Sequence, residues 1–416
     1  MSLEVIIVGA GISGLCTAVA LHKAGHSVKV FEKSRFTGEV GSAVLITPAA
    51  ERVLSRLGVD WLKARGDAVA YFEVFDGITL ASLNSHDLLD PTEEFGAPLY
   101  TVHRVDLLNE LLRLASGLDI RLGTKVSCAD ANTGVVVLED GTRHFADLVV
   151  AGDGMHSVLR AEVLRHHPDV AAVAEATRSG MSTFRFMIPT KAMQNDPQFQ
   201  ELLRMRGKGC ALFADSTRDS EHHMVWFTCR ERSIQVFVGV HDSIVANPEQ
   251  LKDLMLSEFG HYHPSLIRMF SLASLVTNWR LDIHDPLPTW HHGKLVLIGD
   301  SAHPMLPLGA QGANQAIEDA GALGALLSNL TSVFQLSGRL YAYERVRRLR
   351  ASRVQTLSKV RLGREKDVEV ELRKYADPPG SDVPTTFSER YKHDYGFDVF
   401  DACRQAVDQE KVVVVP

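Results

Sequence analysis

Val5-Ile6-Ile7-Val8-Gly9-Ala10-Gly11-Ile12-Ser13-Gly14 stands near the start of the chain. Its four β-branched residues form an unbroken apolar run, the pattern of a strand buried on both faces within a parallel sheet. After the glycines, Leu15, Val19 and Leu21 recur at helical spacing as far as Ala24. Gly25 stops that helix, and residues 27–31 form a second strand ending in Glu32. Gly9 permits the tight turn, Gly11 lets a pyrophosphate approach the backbone, and Gly14 lets helix and strand pack closely. The helix N-terminus offers unpaired N–H groups and partial positive charge to phosphates. Glu32 stands where an acid accepts from ribose hydroxyls, and its charge disfavours a 2′-phosphate. A dinucleotide of the FAD or NAD type is expected here, not NADP; the alternative is a glycine turn used for packing alone.

The rest of the composition is ordinary. A chain of 416 residues, 45% hydrophobic and 23% charged, suggests two or three globular domains. A formal net charge of −7 provides no basic field for nucleic acid. The five cysteines (Cys16, Cys128, Cys210, Cys229, Cys403) contain no C-x-x-C pair, so reduced thiols are expected, not a disulfide framework or zinc site. The histidines show no H-E-x-x-H spacing, and no metal is expected. No apolar run reaches the ~18 residues of a membrane span. Because the sequence enters the nucleotide motif directly, no cleavable signal is expected, and the protein is expected to be cytoplasmic. The run Val412-Val413-Val414-Val415 docks as a strand or frays.

Along the chain, residues 33–44 read as a glycine-bearing loop near the nucleotide. Pro48 opens a helix closed by Gly58. Residues 71–83 alternate around Asp76-Gly77, a hairpin signal, and residues 84–98 read as a loop. A helix follows His103-Arg104-Val105-Asp106-Leu107 through Leu114, residues 119–126 read as a strand, and residues 135–138 begin a hairpin around Asp140-Gly141. Residues 146–151 form a second buried strand. Residues 182–189, 209–213, 224–229 and 234–240 read as strands of a mixed or antiparallel sheet. Residues 248–261 are helical, residues 294–298 form a third buried strand, and helices cover 312–327 and 340–360. Residues 376–386 read as a linker.

Two further motifs end buried strands: Gly152-Asp153-Gly154-Met155-His156-Ser157-Val158-Leu159-Arg160 and Gly299-Asp300-Ser301-Ala302-His303-Pro304. Asp300 follows a buried strand, where open α/β sheets place ligands. Pro304, Pro307 and Gly309 make a rigid turn, after which Gly312-Ala313-Asn314 starts a helix with free N–H groups.

With the opening glycines, these three ordered stretches resemble the flavin-dependent aromatic hydroxylases, the salicylate-hydroxylase-like branch of the single-component flavoprotein monooxygenases. The resemblance runs to about Leu362 and is faint again at Tyr395-Gly396-Phe397-Asp398. It implies an α/β fold, a Rossmann-like FAD-binding domain with an interleaved mixed β-sheet substrate domain and a C-terminal helical segment. The FAD-binding parts are expected at 1–70, 101–170 and 281–365, the substrate parts at 71–100 and 171–280, and a tail at 366–416. The FAD ligands carried over are Gly9, Gly11, Gly14, Glu32, Ala43, Arg104, Asp153, Asp300, Gly312 and Ala313. Arg104 reaches the FAD phosphate or ribose, unless it pairs with Asp106. Arg160 supports the phosphates or the local turn, or makes a structural salt bridge. His303 orders its turn.

In Phe184-Arg185-Phe186, period two points Arg185 away from both phenylalanines. In related phenol hydroxylases an arginine of this strand holds a phenolate or carboxylate, and Arg185 is the expected catalytic residue; a solvated strand face is the alternative. The family's tyrosine on the following strand is missing, since the stretch reads Trp226-Phe227-Thr228-Cys229-Arg230, with Arg230 a further candidate. The resemblance implies NADPH or NADH as a transient co-substrate and transfer of oxygen from O2 to a phenolic or other electron-rich aromatic molecule, with or without decarboxylation. Epoxidation or ring expansion of a polyketide or alkaloid is an alternative, as is an FAD reductase that activates no oxygen. The aromatic substrate, the nicotinamide preference, a monomer or homodimer and the role of the tail after Asp377 are left open.

Overall fold

The computed structural model describes residues 1–416 apart from 36–41, 71, 87–90, 166, 168–175, 216, 218–220, 244, 246–247 and 414–416, and apart from the side chains of 84–86 and 410–413. Gly38 and Gly41 of the expected nucleotide loop, Tyr71 at the start of the first hairpin, and Val414 and Val415 lie outside the described residues.

Among the described residues, the opening strand Glu4–Val8 sits inside a six-stranded sheet, as its apolar faces require. The order is His291–His292, Leu295–Leu297, Leu148–Ala151, Glu4–Val8, Ser27–Glu32, Asp119–Leu122. Every neighbouring pair is parallel except that of the two-residue edge strand. Helices Ile12–Lys23 and Gly312–Leu327 pack so closely that a Cβ at Gly324 would meet Ala20 Cβ at 2.9 Å.

The second large sheet runs Val276–Ile283, Thr177–Pro189, Ile234–His241, His223–Cys229, Cys210–Ala214, Phe72–Asp76, Ser82–His86. It is mixed: Cys210–Ala214 and Phe72–Asp76 are parallel, the other neighbours antiparallel. Strand alternation splits its side chains into two layers. Phe184, Phe186, Phe213, Trp226 and Phe237 pack with Met255, Phe259, Met269 and Phe270 on one face. Phe72, Leu212 and Phe227 face the other way and pack with Phe387, Tyr391 and Tyr395 of the helix Phe387–Tyr395.

Several local expectations are corrected. The stretch 33–44 ends in a strand, Ala43–Ile46, which joins Leu99–His103 and Asp67–Val69 in a small sheet. The stretch 84–98 holds the end of a strand and a short helix, Pro91–Phe95. In the Asp76 hairpin, Asp76 Oδ1 accepts from the N–H groups of Ile78 and Thr79, so those residues belong to the turn. The single strand at 119–126 is two, Asp119–Leu122 and Val126–Asp130, with Gly123 at φ +67° between them. The helix at 248–261 is a 3₁₀ turn, Pro248–Gln250, and a helix, Leu251–Glu258. The final helix, Val399–Val413, takes in Val412 and Val413, so those two residues are helical and not a docked strand. Among the described residues no helix is long and apolar enough to cross a membrane.

Candidate active site

The three motifs meet. A Cβ at Gly299 would lie 2.9 Å from Ser13 Cβ, and one at Gly152 would lie 3.4 Å from Ser13 Oγ. The second and third motifs therefore touch the turn made by the first, at the carboxyl ends of three adjacent parallel strands. Glu32 closes this end: its Oε2 accepts from Ala10 N–H at 2.7 Å and its Oε1 from Ser34 N–H at 2.7 Å. These bonds fix the carboxylate beside the glycine turn and leave lone pairs for sugar hydroxyls.

Crowding separates the three glycines. Gly9 has φ +102°, and its Cβ would strike Gly152 O at 2.3 Å; that of Gly14 would strike Gly9 O at 1.9 Å. A Cβ at Gly11 would meet nothing within 4 Å. Gly9 and Gly14 are dictated by protein packing, whereas Gly11 borders open space at the start of a helix with no side-chain cap. That is the cradle a pyrophosphate fits. Asp153 Oδ2 accepts from Val158 N–H at 2.9 Å, while its Oδ1 is buried without a partner. A ligand hydroxyl would satisfy it. Chemistry and shape of this end suit FAD.

Arg160, 4% exposed, bridges the second and third motifs. Its Nε donates to Ser301 O at 2.8 Å, and its Nη2 to Asp300 O at 2.8 Å and Met155 O at 3.0 Å. It clamps backbone, and among the described residues it makes no salt bridge. His303 bonds through Nε2 to Asp319 Oδ2 at 2.6 Å, ordering the turn.

A cavity of about 350 Å³ adjoins this end, between the turn at 305–313 and one face of the seven-stranded sheet. Ala43, Arg104, Arg185, Asp300, Gly312 and Ala313 line it together. The Asp300 side chain opens into it and is exposed there, with Arg104 on the same lining. Gly312 starts the helix Gly312–Leu327 with no side-chain cap. Asn314 fastens that helix start: its Nδ2 donates to Leu45 O at 2.9 Å, and its Oδ1 accepts from Thr47 N–H at 2.9 Å.

Arg185 lines the same cavity, on the face opposite Phe184 and Phe186. Its guanidinium lies 5.4 Å from the Trp279 ring centroid, and its Nε is buried with no hydrogen-bond acceptor. Burial, then the charge of Arg104, lowers its pKa from the ordinary guanidinium value. The envisaged Arg104–Asp106 pair is not what forms. Asp106 accepts from Arg230 Nε at 2.7 Å and Nη2 at 2.9 Å, which takes Arg230 out of the cavity lining.

Two groups of cavity residues carry no signal in the motifs. His223 precedes the strand residues Val225 and Phe227 by period two and shares their face. Its Nδ1 lies 2.7 Å from Glu221 O, so the neutral ring donates there and keeps Nε2 as its acceptor. The other group is Arg390, Tyr391, Asp394 and Tyr395 of the C-terminal helix; the tail is thus a wall of the cavity. Thr386 and Glu389 form a capping box at that helix start, a signal readable in the sequence after the proline-rich linker. The described residues also bring His222, Asp242 and Glu258 together away from this cavity. Both ring nitrogens of His222 already face these carboxylates, at 2.9 and 3.3 Å.

Burial lowers the pKa of His223 to about 4, and burial followed by the charge of Arg160 does the same for His284. Both stay neutral in the fold at pH values where the unfolded chain takes up protons. Their stabilisation is therefore complete above about pH 6.5 and is lost as pH falls toward 4, at up to about 1.4 kcal/mol per pH unit per histidine. Thermal melts from pH 7 to 4.5 are expected to show this decline, and His223→Gln or His284→Gln to flatten it. An unchanged slope in both variants would contradict the assignment.

Comparison with known proteins places this geometry. The family described as FAD binding domain matches residues 2–358. Hispidin-3-hydroxylase of Neonothopanus nambi is 31% identical over 376 residues, 84% of this chain and 86% of that protein. The 3-amino-4-hydroxybenzoate 2-monooxygenase of Streptomyces cremeus is 31% identical over 343 residues, 82% of each. A salicylate hydroxylase substrate complex has the same fold, with TM-score 0.72 and 24% identity over 97% of this chain and 98% of that one.

Proposed function

The chain belongs to the FAD binding domain family and is an FAD-dependent monooxygenase of the hydroxylase type, and from that premise we propose that it hydroxylates a phenolic aromatic small molecule. We take NADH or NADPH to be the reductant. The observation that carries the substrate class is Arg185: a half-buried cation on a sheet face that is apolar apart from it and His223 among the cavity-lining residues, with a buried Nε–H that lacks an acceptor. Such a group is costly to bury unless a ligand supplies the missing oxygen.

Gly11 and the uncapped helix start beside it would take the pyrophosphate, Glu32 the ribose, and Asp300 with the Gly312–Ala313 backbone the flavin side. Bound there, FAD supplies hydride acceptance and oxygen transfer. The protein's own work is placement and electrostatics. Arg185 donates to a phenolate or ring carboxylate, which favours the ionised, electron-rich ring. Neutral His223 keeps Nε2 as a hydrogen-bond acceptor, which can orient the phenolic O–H without taking its proton. Phe72, Phe227, Val225 and Val238 form an apolar wall that excludes water around the ring. The two relatives named above are, by name, enzymes acting on hispidin and on an aminohydroxybenzoate, which supports the same substrate class.

A panel of phenolic acids should accelerate NADH or NADPH consumption, with one oxygen atom from ¹⁸O₂ found in the product by mass. Product mass also separates simple hydroxylation from hydroxylation with loss of carbon dioxide. Arg185→Met is expected to keep its FAD and to weaken phenolic-acid binding by about 10–100-fold, the scale of a hydrogen bond to a charged group. No stimulation by any member of the panel would end the proposal. Full affinity in Arg185→Met would remove that residue from it.

A further inference from the structure

The C-terminal helix brings a second guanidinium to the cavity. Arg390 is 2% exposed and lines the cavity, yet its Nε and Nη2 are buried without hydrogen-bond acceptors. Its Nη1 donates to Val360 O at 3.2 Å and, weakly, to Glu365 Oε1 at 3.4 Å. Nη2 rests against the Pro307–Gly309 turn so closely that a Cβ at Gly309 would lie 2.2 Å from it. Only glycine at 309 lets this N–H group reach the turn. Arg185, by contrast, stands on the strand Thr177–Pro189 of the sheet.

Charge distinguishes the two arginines. Arg185 has no carboxylate partner among the described residues, whereas Glu365 lies 3.4 Å from Arg390 Nη1 and Asp394 3.8 Å from its Nε. Arg390 already has nearby negative charge, but two of its donors remain unfilled. A neutral oxygen acceptor completes such a group; a further anion would face the two carboxylates.

We propose that Arg390 is a specificity-determining residue of the monooxygenase, donating from Nη2 to a neutral carbonyl oxygen of the substrate. The inference rests on the phenolic reading above and sharpens it. The substrate class is then a phenol with a carbonyl group of the ketone, ester or lactone type at a distance from its hydroxyl. The phenol is held by Arg185 and the carbonyl by Arg390.

The test uses the FAD-loaded protein and three probes of similar size: 4-ethylphenol, 4-hydroxyacetophenone and 4-hydroxybenzoate. Each is titrated against the flavin absorbance spectrum. The unaltered protein should bind 4-hydroxyacetophenone tighter than 4-ethylphenol and at least as tightly as 4-hydroxybenzoate. In Arg390→Met the ratio of ketone to ethylphenol affinities should fall by about tenfold, with 4-ethylphenol binding itself little changed. Arg390→Lys keeps the charge beside Glu365 and Asp394 while removing the planar donor pair, and it should lose most of the same preference. A residue that only braced the turn would weaken all three probes together. The proposal is overturned if the affinity ratio survives both substitutions in variants that retain FAD. It is also overturned if the unaltered protein binds none of the probes, does not favour the ketone over 4-ethylphenol, or prefers the carboxylate to the ketone. Because stimulation of NADH or NADPH consumption is read separately, failure here leaves the phenolic assignment standing, and failure there is seen without the variants.

Discussion

Replacing Gly14 with valine is expected to leave no folded, FAD-loaded protein, whereas replacing Gly11 with alanine is expected to leave the fold intact and weaken FAD alone. The two glycines lie three residues apart in one motif, but different neighbours constrain them. A Cβ at Gly14 would sit 1.9 Å from the Gly9 carbonyl oxygen and 3.0 Å from its carbon. These are backbone atoms with nowhere to move, because Gly9 N–H donates to Phe31 O and Gly152 N–H donates to Val8 O, both at 2.8 Å. Any relief must push the helix Ile12–Lys23 off the central strand and reopen the core it covers. Overpacking of that kind costs upwards of about 3 kcal/mol. Gly11 has φ −70°, which alanine adopts freely, and open space where the Cβ would go. Its methyl group would instead occupy the space proposed for the pyrophosphate, and FAD affinity is expected to fall by about tenfold or more. Flavin absorbance per protein after gel filtration, with thermal melts of flavin-stripped samples, separates the outcomes. A flavin-stripped Gly11→Ala protein that melted far below its parent would show that packing rules this position too.

The same contrast explains what the sequence disclosed. The three motifs were legible because each is local: a buried apolar strand, a turn and the residues directly after it. Parallel neighbours then bring their ends together without further information. The direction of Arg185 was legible because a strand alternates, and the phenylalanines on both sides declared the core face. Arg104 was harder. The acid nearest in sequence, Asp106, is two residues on along a helix, and residues i and i+2 do not face each other. Asp106 instead meets Arg230, 124 residues away. The strand Val276–Ile283 escaped notice because it lies at a sheet edge, with Trp279 52% exposed, so its apolar and polar residues do not sort by face. The C-terminal wall was hidden for a third reason. Its helix was foreshadowed by a capping box, but only tertiary contact shows that Arg390 reaches Gly309.

That contact depends on a buried charge network, so Arg347→Met is expected to lower both stability and FAD retention. Arg347 is fully buried; its Nε donates to Asp319 Oδ1 at 2.9 Å, its Nη1 to Glu318 Oε2 at 2.5 Å, and its Nη2 to Gln315 Oε1 at 2.9 Å. Burial pushes both carboxyls up, yet Arg350 and Arg347 hold Glu318, and His303 and Arg347 hold Asp319, below the usual range. With Arg347 gone, Glu318 keeps Arg350, at 2.8 and 2.9 Å, but the two adjacent acids share less positive charge. Breaking a buried pair from one side costs about 3–5 kcal/mol, because the other charge stays buried without its partner. For a chain of this size that lowers the apparent Tm by about 5 °C. The effect should reach the site at both ends. Asp319 Oδ2 accepts from Gly299 N–H at 2.9 Å and meets His303, which sets the turn carrying Asp300. Arg350 donates to the carbonyls of His393 and Asp394 at 2.9 and 3.2 Å, which seats the helix carrying Arg390. Arg347→Met combined with Asp319→Asn removes the stranded charge and should recover part of the loss in Tm, a coupling that a simple cavity in the core would not show. Strict additivity of the two substitutions would mean that the arginine acts by filling space, and that the turn carrying Asp300 and the C-terminal wall are held independently.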